Sequence, residues 1–145
     1  MSNTPIYFDN AATTPLHPEV AEHIFELMKD VYGNPSSVHA LGRKAKGVLE
    51  ESRVSIAKYM GCSPSEIYFT SGGTESDNIA LRKAVHCLGV KNIITTPIEH
   101  HAVLGTSQSI TEIHKDVNLH LLEVDQKGCF SLEELESLLK ANQNS

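Results

Sequence analysis

Residues 66–78 read Glu66-Ile67-Tyr68-Phe69-Thr70-Ser71-Gly72-Gly73-Thr74-Glu75-Ser76-Asp77-Asn78, and the fold is read outward from them. Ile67 to Thr70 are β-branched or aromatic, bounded by Ser63-Pro64-Ser65 before and by two glycines after, which predicts a buried strand. Beyond the glycines, Ile79, Ala80, Ala84, Val85 and Leu88 recur at helical spacing, and Gly89 stands where a helix would stop. Strand, glycine loop and helix therefore follow one another directly. A helix start presents unpaired N–H groups and partial positive charge, glycines admit an anion close to the backbone, and Ser71 and Thr74 add hydroxyl donors. The stretch contains neither Gly-x-Gly-x-x-Gly nor a Gly-Lys-Ser/Thr ending, so neither the dinucleotide nor the P-loop mechanism fits. A plain turn with Thr74 or Ser71 as helix cap fits the same residues, and residue chemistry leaves both readings open.

The chain has 145 residues, 40% of them hydrophobic and 21% charged, enough for one globular domain with a core. Twelve basic against eighteen acidic side chains give a formal charge of −6. With no basic cluster, nucleic-acid binding through phosphates is not expected. No apolar run approaches the ~20 residues of a membrane span, and the N-terminus lacks a signal-peptide pattern, so no membrane and a cytoplasmic address are expected. Cys62, Cys87 and Cys129 are odd in number and far apart, which suits neither disulfides nor a Cys-x-x-Cys metal pair. Cys87, beside Val85 and Leu88, reads as a buried, inert thiol.

Upstream, Ile6-Tyr7-Phe8 is strand-like and runs into the polar turn Asp9-Asn10-Ala11-Ala12-Thr13-Thr14-Pro15. Pro18 opens an amphipathic helix carrying Val20, Ile24, Leu27, Met28 and Val31, which Gly33 ends. Gly33-Asn34-Pro35-Ser36-Ser37 is a breaker cluster, and His39 is either a solvent-exposed loop histidine or part of a site mouth. From Leu41 to Met60 a long helix puts Ala45, Val48, Leu49, Ser52, Ile56 and Met60 on one face, and Gly61 ends it.

Downstream, Asn92 to Thr96 predicts a second strand, Ala102 to Ile113 a helix, and Asn118 to Val124 a third strand. Asp125-Gln126-Lys127-Gly128 is a turn, and Ser131 with Glu134 forms a capping box for a leucine-rich helix. An EF-hand reading of this region fails because Lys127 occupies a ligand position. Strands alternating with helices predict an α/β fold with a mainly parallel sheet and flanking helices. In such a sheet ligands gather beyond the carboxyl ends of strands, which makes Ile98-Glu99-His100-His101-Ala102-Val103 the second candidate site. Adjacent Glu-His-His without a third partner makes a poor metal site, and no metal is expected.

Four strings in this chain share a family resemblance. Tyr-Phe-Asp-Asn-Ala-Ala-Thr-Thr-Pro from residue 7, Thr-Ser-Gly-Gly-Thr-Glu-Ser-Asp-Asn from residue 70, and Glu-His-x-Ala-Val from residue 99 resemble class V aminotransferase-like enzymes of fold type I. Gly-Asn-Pro-Ser-Ser-x-His-x-x-Gly from residue 33 resembles their cysteine desulfurase branch in particular. The resemblance implies the N-terminal part of a pyridoxal phosphate (PLP) binding large domain, with residues 1–16 an arm near the active site and 17–145 the first part of that domain. It implies that Gly73 and Thr74 hold the phosphate, and that His100 stacks on the cofactor ring and takes part in proton transfer. It further implies L-cysteine as substrate, alanine and an enzyme persulfide as products, a homodimer, and a sulfur-acceptor or iron–sulfur scaffold protein as partner.

The family's cofactor-holding lysine and sulfur-carrying cysteine belong to a C-terminal segment that these residues do not match. The chain by itself is therefore expected to be inactive. A selenocysteine lyase, a small-molecule aminotransferase and a non-catalytic split half or dimerisation fragment remain as alternatives.

Overall fold

The computed structural model describes residues 6–142. The elements are α1 (Pro18–Asp30), α2 (Ala40–Met60), a single 3₁₀ turn (Pro64–Glu66), α3 (Gly73–Leu88), β1 (Asn92–Thr95), α4 (His101–Ile113), β2 (Asn118–Leu121) and α5 (Leu132–Ala141). They form two compact units, Met1–Tyr68 and Phe69–Ser145.

In the first unit the residues from Ile6 to Leu16 are exposed coil with one turn, closed by Ala12 N–H donating to the Asp9 carbonyl at 3.1 Å. The strand expected at Ile6–Phe8 does not form, and Ile6 and Phe8 lie open to solvent. Residues 1–5 of the expected arm lie outside the described residues. The first helix begins at Pro18 as the sequence requires, but it ends at Asp30, before Gly33. Lys44 reaches its last carbonyl, on Asp30, at 3.1 Å.

The second helix ends on Gly61, whose φ of 68° is the left-handed conformation glycine adopts without strain, and Cys62 N–H then closes onto the Ala57 carbonyl. The loop between α1 and α2 is tight. A Cβ on Gly33 would lie 2.4 Å from the Leu41 carbonyl oxygen, and one on Gly42 would lie 2.3 Å from that of Ser37. Both glycines of the Gly-Asn-Pro-Ser-Ser-x-His-x-x-Gly string are thus required by backbone packing.

Ser63, read from sequence only as strand punctuation, makes a reciprocal capping box with Glu66 on the 3₁₀ turn. That turn leads into the stretch predicted to be a strand, and here the structure differs. Residues 67–70 are coil and not a strand: the Ile67 N–H donates to the Pro64 carbonyl, and the Ile67 carbonyl accepts from the Arg53 guanidinium. Ile67 keeps extended backbone angles (φ −93°, ψ 124°), and its N–H and C=O are satisfied by these two partners.

The second unit contains the sheet, which has two strands among the described residues. β1 and β2 are parallel, in register from Asn92↔Asn118 to Thr95↔Leu121, with α4 as the crossover between them. This is the α/β arrangement of helices around parallel strands that the sequence predicts. Its core is Val85, Ile93, Ile110 and Val117, with Leu81 and Leu119 against it. Asn92, at the start of β1, accepts at Oδ1 from Asn118 Nδ2 (3.3 Å) and lies 3.2 Å from His120 Nε2, so the register is also marked by polar partners.

The strand expected to run on to Val124 stops at Leu121. Val124 instead bridges Phe130 in an antiparallel pair closed by the Asp125–Gly128 turn, whose Asp125 Oδ1 accepts from the N–H groups of Lys127 and Cys129. The capping box on α5 is half made. Glu134 N–H donates to Ser131 Oγ, but that hydroxyl donates to Glu133. Cys87 is exposed, not buried, because it sits in the last turn of α3 beyond Val85.

Candidate functional site

The glycine loop and the segment after β1 meet at one edge of the sheet. α4 connects two parallel strands, so it runs against them and its N-terminus lies at their C-terminal edge. Only residues 89–91 separate α3 from β1, and both pack on the same core, so α3 also folds back against β1 and begins at that edge. α3 and α4 pack side by side. Gly73, Thr74 and His100 therefore share the carboxyl edge of the strands, the usual ligand edge of an open α/β sheet.

The start of α3 is unusual in what it omits. Its cap residue is Gly72, and among the described residues no side chain caps the helix. Neither Ser71 nor Thr74 plays the N-cap part that a plain structural turn would give it. The Ser71 hydroxyl, expected to be a ligand donor, is already engaged: Ser71 N–H (2.6 Å) and Oγ (2.7 Å) both donate to Glu75 Oε2. These two bonds, the backbone N–H first, hold the Glu75 carboxyl below its ordinary pKa.

Thr70 Oγ1 completes the frame, donating to the Gly72 carbonyl at 3.1 Å and lying 2.8 Å from Ser76 Oγ. A Cβ placed on Gly72 or Gly73 would meet nothing within 4 Å among the described residues. The turn thus offers uncapped N–H groups, a Thr74 hydroxyl and open space in front of them, which fits a phosphate.

His100 caps α4 with its own ring, Nδ1 accepting from Ala102 N–H at 3.1 Å. An imidazole whose Nδ1 lone pair is so used carries its proton on Nε2 when neutral. The ring is thereby oriented, exposed at the sheet edge, and presents Nε2–H as a donor. His101 lies edge-on to it, with ring centroids 6.2 Å apart. His39 shows the same device in the first unit, capping α2 through a bond from Gly42 N–H to Nδ1 at 3.3 Å.

Sequence reasoning missed Glu75. The signal was there as Ser71 and Glu75 four residues apart, but ordinary capping logic would send a carboxylate to the cap residue itself and not to the residue before it. No group of three or more His, Cys, Asp or Glu suited to a metal occurs among the described residues.

Comparison with known proteins identifies the family. Residues 6–144 match the family "Aminotransferase class-V". The chain is 41% identical over 137 residues to "Cysteine desulfurase IscS" of Dictyoglomus turgidum, covering 93% of this chain and 34% of that protein. It is 40% identical over 140 residues to the protein of the same name from Methanosarcina thermophila, covering 95% and 34%. Among solved structures, a "NIFS-LIKE PROTEIN" superposes with a TM-score of 0.83 at 42% identity, covering 93% of this chain and 37% of the other. The apo cysteine desulfurase from Thermococcus onnurineus gives 0.78 at 32% identity, over 93% and 34%. The chain thus spans about a third of the length of the curated relatives it matches. With a family match over nearly the whole sequence and a fold shared with its solved relatives, the chain belongs to the class-V aminotransferase family.

Proposed function

We propose that these residues form the phosphate-binding and ring-covering part of a PLP-dependent cysteine desulfurase, which converts L-cysteine to L-alanine and passes the sulfur to an enzyme cysteine as a persulfide. The observation that carries this reading is the uncapped, open start of α3 on the same sheet edge as the ring of His100. The names of relatives at about 40% identity support the choice of desulfurase within the family.

In this reading the N–H groups of Gly73 and Thr74, with the Thr74 hydroxyl, bind the phosphate. The helix dipole favours its charge. His100 would cover the ring, and Nε2 would be the nitrogen that holds a proton for transfer, since Nδ1 accepts from Ala102 N–H. When bound, PLP supplies the electron sink that makes the α-proton of an amino acid labile. A homodimer, a sulfur-acceptor or iron–sulfur scaffold partner, and a cytoplasmic address belong to the same proposal. No helix among the described residues is long and apolar enough to cross a membrane.

The lysine that holds the cofactor is not assigned within this chain. All nine lysines are exposed. A Schiff-base lysine is activated by desolvation or by a neighbouring cation, and exposure to solvent offers no such activation. The test is to mix the purified chain with PLP and L-cysteine, follow sulfide and alanine release, and repeat with a lysine-bearing C-terminal portion of the family added. Release is expected only in the second case, and His100→Ala should then lower it by about 10²- to 10⁴-fold, as for a positioned acid–base group. Turnover by the short chain alone, or a His100→Ala loss of only a few-fold, contradicts the reading.

A further inference from the structure

A carboxylate at the third position of a helix ordinarily turns back to the N–H of the cap residue and so consumes one of the donors an anion would need. Glu75 occupies that position in α3, yet its Oε2 passes the cap and takes both N–H (2.6 Å) and Oγ (2.7 Å) of Ser71, the residue before it. This places a full negative charge beside a turn read as a phosphate cradle, where simple Coulomb repulsion would weaken anion binding. The compensation is geometric. With its acceptor oxygen bound to Ser71, the carboxylate leaves the N–H of the cap residue Gly72, its ordinary target, uncovered along with those of Gly73 and Thr74. It also joins residue 71 to the first turn of the helix across the glycines, where the backbone has the least stiffness of its own.

We propose that Glu75 is a positioning residue for the cofactor phosphate: its carboxylate, bridging the backbone and side chain of Ser71, sets the 71–74 turn in the shape that leaves the Gly73 and Thr74 N–H groups open to the anion. The inference rests on the reading of this turn as the PLP phosphate site. Thr70 supports the same shape through its bond to the Gly72 carbonyl at 3.1 Å and its contact with Ser76 Oγ at 2.8 Å. Glu75 touches no reacting atom in this account.

Charge and geometry predict opposite signs, which makes the inference testable in the 145-residue chain. The probes are pyridoxamine 5′-phosphate and inorganic phosphate. The former has an amine in place of the aldehyde and so does not react with the nine exposed lysines. Glu75→Ala should weaken binding of both probes by about tenfold, the worth of a charge-assisted hydrogen bond that orders the site, and should speed hydrogen exchange at the Ser71 amide.

Glu75→Gln keeps an oxygen that can accept from Ser71 N–H and should bind within about threefold of wild type, with exchange at Ser71 still slowed. If Glu75 acts only by its charge, both variants bind more tightly than wild type, and the proposal is overturned. It is equally overturned if Glu75→Gln is as weak as Glu75→Ala. Failure of the wild-type chain to bind either probe overturns the reading of the site itself, and this inference with it. Wild-type binding with an unaffected Glu75→Ala overturns this inference alone. Because Glu75 is exposed, both variants should keep the wild-type circular dichroism, and the exchange rates in the second half of α3 serve as the control for folding.

Discussion

The chain has two pairs of glycines in recognisable strings, and they do opposite things. Gly33 lies in the loop between α1 and α2 and Gly42 in the first turn of α2, and there a methyl group would run into backbone carbonyl oxygens at 2.4 and 2.3 Å. Gly72 and Gly73 open α3, and there a methyl group would meet nothing within 4 Å among the described residues. The first pair is small because the chain itself fills the space. For the second pair the chain supplies no such reason, and the space in front of uncapped N–H groups suits an anion. A glycine in a motif therefore says only that room is needed, and the structure distinguishes room for the fold from room for a ligand.

This contrast can be broken by substitution, and the largest effect should come from the packed pair. Gly42→Ala should cost about 3 kcal/mol or more in urea unfolding, since the obstructing atoms are backbone and cannot swing away. Gly73→Ala should leave unfolding within about 1 kcal/mol of wild type, or raise it slightly through better helix propensity. A large loss of stability in Gly73→Ala would erase the distinction.

The second test probes the open pair from the ligand side. Thr74→Val should weaken pyridoxamine phosphate binding by about ten- to a hundredfold, or roughly 1.5 to 3 kcal/mol, with the unfolding midpoint unchanged. Equal affinity in a fluorescence titration would remove Thr74 from the site.

A smaller effect is expected where the fold holds a polar group without using it. Ser107, fully buried in α4, has a hydroxyl with no hydrogen-bond partner among the described residues. Ser107→Ala should therefore stabilise the chain by up to about 1 kcal/mol, and a loss of stability would point to a bound water there.

The smallest effect is electrostatic. The Lys91 ammonium bonded to Asp116, and the Ser71 groups bonded to Glu75, hold both carboxyls below their ordinary pKa values. Lowered folded-state values mean that the unfolded chain binds protons first as pH falls. The contribution is thus complete above the unfolded values near pH ~4 and is lost as pH drops through the folded ones. Both groups are exposed, so the change is modest. Asp116→Asn should flatten the dependence of the urea midpoint on pH between about 5 and 3, and an unaltered slope would dismiss the pair.

Much of the fold was legible because it depends on local physics. The start of α1 at Pro18, the stops of α2 at Gly61 and of α3 at Gly89, and the β1–α4–β2 unit follow from proline and glycine geometry and from apolar spacing. The glycine loop and the His100 segment were legible as strings, and the fold brings them to one edge.

What misled was burial. Ile67 to Thr70 has the composition of a buried strand, and Cys87 lies beside apolar residues, but composition cannot say whether a covering surface is present. Tyr68 and Leu88 are each about three-quarters exposed, at 74% and 77%. Sequence alone determined the start of α1 at Pro18 and the stops of α2 at Gly61 and α3 at Gly89, since these breakers act within a few residues. Only the folded structure decided that the space beside Gly33 and Gly42 is filled by the chain, that the space beside Gly72 and Gly73 is not, and that Glu75 turns to Ser71, because each depends on which atoms arrive beside the backbone.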